Sequence, residues 1–264
     1  NLGSLYVERG EYAKAEPLYE RALRLREEVL GQRHHDVATS LNNIAFLYVE
    51  RGHYLKAQPL YERALLLREE VLGERHPAVA TSLNNLANLY RVQGHYARAQ
   101  PLYERAMRLR EKVLGERHPD VACSLNDLAE WYSVQGDHAK AEPLHQRALQ
   151  LRRELLGERH PTVATSLDNL AVVFEAQGRI EQALPMYLRA LQLREEVLGP
   201  HHPDVALSCK NLGTVYLVQG QLDLAEELLN RALSIWTQYL PADHPRLAGL
   251  MNTIQALYSK RSSE

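Results

Sequence analysis

The chain of 264 residues lacks several things whose absence narrows its possible roles. No apolar run approaches the ~20 residues needed to cross a bilayer, and no charged-then-apolar signal segment opens the sequence. It therefore reads as soluble and cytoplasmic, with no membrane partner. Charge of one sign is also missing: 31 Lys and Arg stand against 33 Asp and Glu, a formal net charge of -2. No global field draws nucleic acid or an anionic surface, so any partner is chosen by local chemistry. There is no GxxxxGK[ST] loop, HExxH, CxxC pair or GxSxG elbow, so we expect neither an enzyme nor a cofactor.

What the chain has is repetition. The stretch LGERHPDVA (Leu114 to Ala122) resembles a catalytic loop, with Glu116, Arg117, His118 and Asp120 crowded together. The same slot reads LGQRHHDVA from Leu30, LGERHPAVA from Leu72, LGERHPTVA from Leu156, LGPHHPDVA from Leu198 and, degraded, LPADHPRLA from Leu240. The period is 42 residues throughout. A fixed period of this size marks a repeat array in which each unit contacts its neighbours. The array divides into a remnant at 1–31, full repeats at about 32–73, 74–115, 116–157, 158–199 and 200–241, and a capping helix at about 245–260. The two cysteines, Cys123 and Cys209, lie about two periods apart, beyond disulfide reach on stacked repeats, and read as reduced packing residues. Because Asn1 falls in mid-repeat, the chain reads as a piece of something longer with a bare apolar edge, which makes end-to-end self-association an expectation.

Within the third repeat, Leu83, Leu86, Ala87 and Tyr90 recur at the spacing of one buried helical stripe, forming helix A. Gly94 stops it, and a second stripe through Tyr96, Ala99, Leu102, Tyr103, Ala106 and Val113 forms helix B up to Gly115. Small residues hold the slots where two helices meet: Gly3, Ala45, Ala87, Ala129, Ala171 and Gly213 on the A helices, facing two alanine series on the B helices that start at Ala15 and Ala22. Such side chains permit interaxial distances near 8 Å. In the capping helix the slot becomes Gln255, as suits a terminus with no partner to approach. The expected fold is all-α, built of stacked antiparallel helix pairs.

These small residues, with Leu83, Leu86, Tyr90, Gly94, Tyr96, Ala99, Tyr103 and Ala106, resemble the tetratricopeptide repeat. The period, the phrase SLNNLA (Ser82 to Ala87) and the long connector resemble its kinesin light chain type, over essentially the whole chain. The resemblance implies a right-handed superhelical α-solenoid whose A helices line a concave groove. It is weak for biological role, because such a fold hosts many.

The connector histidines His34, His76, His118, His160, His202 and His244 are too far apart on stacked repeats to share a metal, so they are expected to punctuate turns. A proline such as Pro119 then fits the first turn of the next A helix, with Asp120 complementing its dipole. Pro17, Pro59, Pro101, Pro143 and Pro185 predict a shared, accommodated kink near the start of each B helix. Alternating charges in runs such as RLREEVLG from Arg24 read as solvated pairs.

Candidate partner contacts lie opposite the packed stripe and vary between repeats. They are Asn42, Asn43 and Phe46 in the second repeat; Asn84, Asn85, Asn88 and Arg91 in the third; Asn126, Asp127 and Glu130 in the fourth; Asp168, Asn169 and Glu175 in the fifth; and Lys210, Asn211 and Thr214 in the sixth. Paired amides offer donors and acceptors to an extended peptide backbone, although one asparagine of each pair can instead brace a neighbouring helix. Kinesin light chain resemblance implies the peptide-binding use. The acids Asp127, Glu130, Asp168 and Glu175 depart from the cationic groove of that family, so the expected partner is a protein or peptide segment that is basic or neutral at its centre. The expected role is a non-enzymatic interaction scaffold; the alternative is a sensing or autoinhibitory segment of a larger signalling protein whose catalytic domain lies elsewhere.

Overall fold

The structure, a computed structural model, describes residues 2–8 and 10–262. The described residues form thirteen helices and no strand. They divide into two compact units, Asn1–Gly136 and Asp137–Glu264. The first unit holds α1 (Leu2–Glu8), α2 (Tyr12–Leu30), α3 (His35–Glu50), α4 (Tyr54–Leu72), α5 (Pro77–Val92), α6 (Tyr96–Leu114) and α7 (Pro119–Val134). The second holds α8 (His138–Leu156), α9 (Pro161–Ala176), α10 (Ile180–Leu198), α11 (Pro203–Val218), α12 (Leu222–Tyr239) and α13 (Pro245–Arg261). Asn1, on which the expected bare edge rests, lies outside the described residues, while Leu2 and Leu5 of α1 are exposed.

Within each unit, an A helix is turned into its B helix by a Schellman ending. After α3, the amide of Gly52 donates to Val49 O at 2.9 Å and that of His53 to Tyr48 O at 2.7 Å, with Gly52 at φ 73°. Only glycine adopts that left-handed conformation cheaply, and the same bonds recur after α5, α9 and α11. The return connector is closed by its histidine. His34, His76, His118, His160, His202 and His244 each accept at Nδ1 from the amide two residues on, at 3.1 to 3.3 Å. The suspicious loop is therefore an N-cap in which imidazole does the work usually given to Ser or Asp. A proline at the first helical position follows in five of the six. Pro17, Pro59, Pro101, Pro143 and Pro185 sit on exposed faces of B helices that continue unbroken around them.

Helices pack through the small slots: Ala45, Ala57, Ala64, Ala87, Ala99 and Ala106 in the first unit and Ala171, Ala183, Ala190, Ala225 and Ala232 in the second are fully buried. Each B helix also packs on the A helix that follows it within its unit, and α3, α5 and α7 lie side by side. The charged run of helix B departs from expectation here. Its second arginine is not solvated: Arg68, Arg110, Arg152 and Arg194 are buried. Arg68 Nη1 donates to Ala78 O and Ser82 Oγ, both at 2.9 Å, and Nη2 reaches Thr39 Oγ1 at 3.4 Å, so one guanidinium ties α4 to the A helices on either side. Arg110 repeats the pattern with Asp120 O, Ser124 and Thr81. The buried charge is tolerable because fixed acceptors replace its water. At the last joint the arginine slot becomes Trp236 and the serine slot becomes Leu250, both buried, and the indole N–H donates to Pro203 O at 3.0 Å. Donor and acceptor disappear together, leaving neither stranded.

The cap α13 is anchored by Lys260, which donates to Leu217 O at 3.0 Å, and by Tyr258 and Arg261 on Glu226. Gln255 is exposed. Of the two free cysteines, Cys209 is buried and its thiol pushed up to about 11 by burial, whereas Cys123 is exposed and so is not the packing residue expected.

Replacing His76 with Ala removes the acceptor at the start of α5 and should cost about 1 kcal/mol in urea unfolding, whereas His76→Asn, which keeps an acceptor, should cost a few tenths. His145 takes the buried slot filled by Tyr61, Tyr103 and Tyr187 elsewhere, and burial, aided by Arg152, pushes its pKa down to about 4. The folded state thus binds fewer protons than the unfolded one between these pKa values. The stability contributed is present above pH ~6.5 and is lost as pH falls toward 4. At pH 4.5, the wild type should lose on the order of 2 to 3 kcal/mol more than His145→Tyr does, relative to pH 7.

Candidate partner-binding face of the A helices

The face of the first unit opposite its packed stripe is built from α3, α5 and α7. The first member of each asparagine pair is not open on it: Asn42, Asn84 and Asn126 are buried at 4–7% exposure. Asn42 Nδ2 donates to Ala38 O at 3.0 Å and to Ser82 Oγ at 3.3 Å, and its Oδ1 accepts from Asn85 Nδ2 at 3.0 Å. Asn84 Nδ2 donates to Asp127 Oδ2 at 2.6 Å, and Asn126 Nδ2 to Glu130 Oε1 at 3.0 Å. Asn42 and Asn84 thus brace adjacent A helices, while the Asn126 bond stays within α7; the open face of helix A is narrower than a 100° step suggests because its neighbouring A helix covers one edge of it. The sequence shows a helix its own two faces but not the third, which the next repeat occupies.

What stays accessible is the second member of each pair and the slots beyond it. Among the described residues, Asn43 is half-buried and its amide makes no hydrogen bond, Asn85 keeps its carbonyl oxygen, and Asn88 accepts from the Tyr103 hydroxyl at 2.6 Å and keeps its N–H groups. Phe46 is 46% exposed. Arg91 is half-buried beside the Tyr103 hydroxyl, and burial raises that phenol well above its usual range. Asp127 and Glu130, each accepting an asparagine amide, are half-buried and carry the negative charge of this face.

In the second unit the asparagine slot is Asp168, and it too is sealed, at 4% exposure. The Arg194 clamp, besides bonding Ser208, pairs directly with its carboxylate. Burial pushes the Asp168 carboxyl up while Arg194 pulls it down. The pair presents no net negative charge, which removes Asp168 from the acidic stretch expected from the sequence. Glu175 accepts from the Tyr187 hydroxyl at 2.8 Å. Asn169, Lys210, Asn211 and Thr214 are half-buried, and the hydroxyl of Thr214 turns back onto Lys210 O at 2.8 Å. Among the described residues, neither the Lys210 ammonium nor the Asn211 amide has a hydrogen-bond partner.

Both faces also carry apolar side chains. Val92 and Val134 in the first unit and Val218 in the second share one 42-residue slot, and they are 42%, 51% and 65% exposed. Val172 adds 46% exposure on α9. These valines recur and yet stay about half exposed or more. Their signal was available: an apolar residue recurring off the stripe that buries the rest.

A joint made of a Schellman turn, paired alanine slots and a capped return connector, repeated along the chain, is the architecture that the comparisons match. The tetratricopeptide repeat profile matches residues 1–69, 36–112, 79–144, 120–196 and 175–238. The chain belongs to the tetratricopeptide repeat family. Among solved structures it is similar to BtubC (BKLC) from P. vanneervenii, at 27% identity and TM-score 0.69, over 88% of this chain and 93% of that one. It is also similar to a Podosopora anserina protein with nearly identical TPR-like repeats of the kinesin light chain type, at 25% identity and TM-score 0.64, over 78% of this chain and 97% of that one. None of the curated proteins matches the sequence. Repeats of this family generally mediate protein–protein interaction and typically serve as scaffolds. No helix among the described residues is long and apolar enough to cross a membrane.

The equivalence of the asparagine slots sets a test. Asp168→Asn restores the residue found at Asn42, Asn84 and Asn126 and should change stability by less than about 1 kcal/mol, whereas Asp168→Leu removes one of the buried acceptors of Arg194, leaving Ser208 and Thr165, and should cost about 1 to 3 kcal/mol. Urea midpoints at constant slope would measure both.

Proposed function

We propose that the chain is a non-catalytic interaction module whose A-helix faces bind an extended segment of a partner protein. The observation that carries this reading is the combination on one face of unengaged amide groups with exposed apolar side chains. Asn43, Asn85 and Asn88 offer hydrogen bonds to a peptide backbone, while Phe46, Val92 and Val134 offer apolar contact to its side chains. A main chain needs both donors and acceptors, which amides supply together. Exposed apolar groups at such spacing are costly in water and gain on burial by about 25 cal/mol per Å². On the second unit, Asn211 with Val172 and Val218 repeats the combination.

The partner segment is basic or neutral where it meets Asp127 and Glu130. These two acids, not Asp168, carry the charge preference. Arrayed peptides of basic, neutral and acidic centre, titrated against the wild type, should rank in that order. Asp127→Asn with Glu130→Gln should weaken the basic peptides about tenfold at low salt and leave the neutral ones within twofold. Asn43→Ala with Asn88→Ala should weaken all of them. Charge ranking that survives the first pair of changes, or affinity that survives the second, would refute the respective part of the reading.

A further inference from the structure

Histidines at equivalent positions of different repeats do not meet, but one connector gathers donors within itself. At the start of α3, His34, His35 and Asp36 place ligating atoms within 4.8 Å of one another. His34 Nδ1 lies 3.8 Å and His35 Nδ1 3.4 Å from the Asp36 carboxylate, and the two imidazole rings are 4.4 Å apart. The other five connectors do not have this set. Where they carry Pro77, Pro119, Pro161, Pro203 or Pro245 at the first helical position, this one carries His35. A proline there costs nothing and presets the backbone, so an imidazole in its place is not explained by the fold.

We propose that His34, His35 and Asp36 bind a divalent transition metal ion of the zinc or nickel class. Two imidazole nitrogens and one carboxylate suit such borderline ions better than calcium or magnesium, which take oxygen donors. Three protein donors leave positions for water, the arrangement of an open rather than a closed site. The carboxylate is available. Arg33 is turned to Glu70 at 3.0 Å, and Arg26 donates to the backbone oxygen of Asp36 and to Ser40, so neither cation occupies it. His34 already holds the needed tautomer: because Nδ1 accepts from the Asp36 amide, the proton of the neutral ring is on Nε2. The metal takes that lone pair over from the amide, and no proton need leave. Loss of the cap bond and the partial positive charge of the helix start both work against the ion, so binding is of moderate strength.

The molecule contains its own comparison, since His202 and Asp204 stand 3.8 Å apart at a connector that keeps its proline. The experiment is calorimetric titration of Zn²⁺ into the whole chain carrying Cys123→Ser, which removes the exposed thiol. One equivalent should bind, and both His35→Pro and Asp36→Asn should weaken it at least about tenfold, while His202→Ala leaves it unchanged. His35→Pro installs the residue of the other connectors, and its circular dichroism melt should match the parent's. If it does not fold, Asp36→Asn decides alone. Zinc affinity unchanged in the variants of this connector, or lost equally in His202→Ala, would overturn the proposal.

Discussion

Four of the joints between repeats turn on a buried guanidinium, that of Arg68, Arg110, Arg152 or Arg194, which must find its acceptors. Arg68 reaches forward to Ala78 O and Ser82 and back to Thr39, Arg110 does the same one repeat later, and Arg194, three repeats later, reaches Ser208 and Thr165. A charge removed from water is tolerated only where geometry supplies its hydrogen bonds, so the clamp admits one register of helix against helix. The alanine slots allow the helices to approach; the arginine dictates where along each other they stop. Its coordinated replacement by Trp236 and Leu250 at the last joint shows the same constraint from the other side, since no polar group is left behind when the charge goes.

That constraint shapes the candidate binding face. The serine that receives the clamp also receives Asn42, and Asn42 in turn receives Asn85, so the polar chain runs from the joint to the edge of the face. Asp168 is the variation on this theme that draws Arg194 onto itself. What is left for a partner is the outer end of each chain: the second amide, the exposed valines and, in the first unit, the acids Asp127 and Glu130. Scaffold and candidate binding surface are therefore not separate sets of residues but successive links of one network.

Much of this was legible beforehand because it is local. Helix pairs follow from apolar spacing, their turns from Gly52 and its equivalents, and the connector role of LGERHPDVA from its recurrence. The buried arginine was not read, although its signal was present: Arg68 and Ser82 recur fourteen residues apart and vanish together at Trp236 and Leu250. A charged residue between Leu and Glu looks solvated until its acceptor on another helix is known. The same blindness sent Asn42, Asn84, Asn126 and Asp168 to an open face. Conversely, Val92, Val134 and Val218 recur in one slot and stay exposed, so recurrence alone does not mark a packing residue.

The sequence by itself determined the elements and their order: which residues are helical, where glycine must turn the chain, where an imidazole or a proline starts the next helix, and that the unit is forty-two residues long. Those are matters of backbone conformation and of periodicity along one helix, which neighbours in sequence settle. Tertiary structure alone decided which polar groups are spent and which are free, because a hydrogen bond between Asn42 and Ser82 or between Arg194 and Asp168 joins residues that meet only once the helices have stacked.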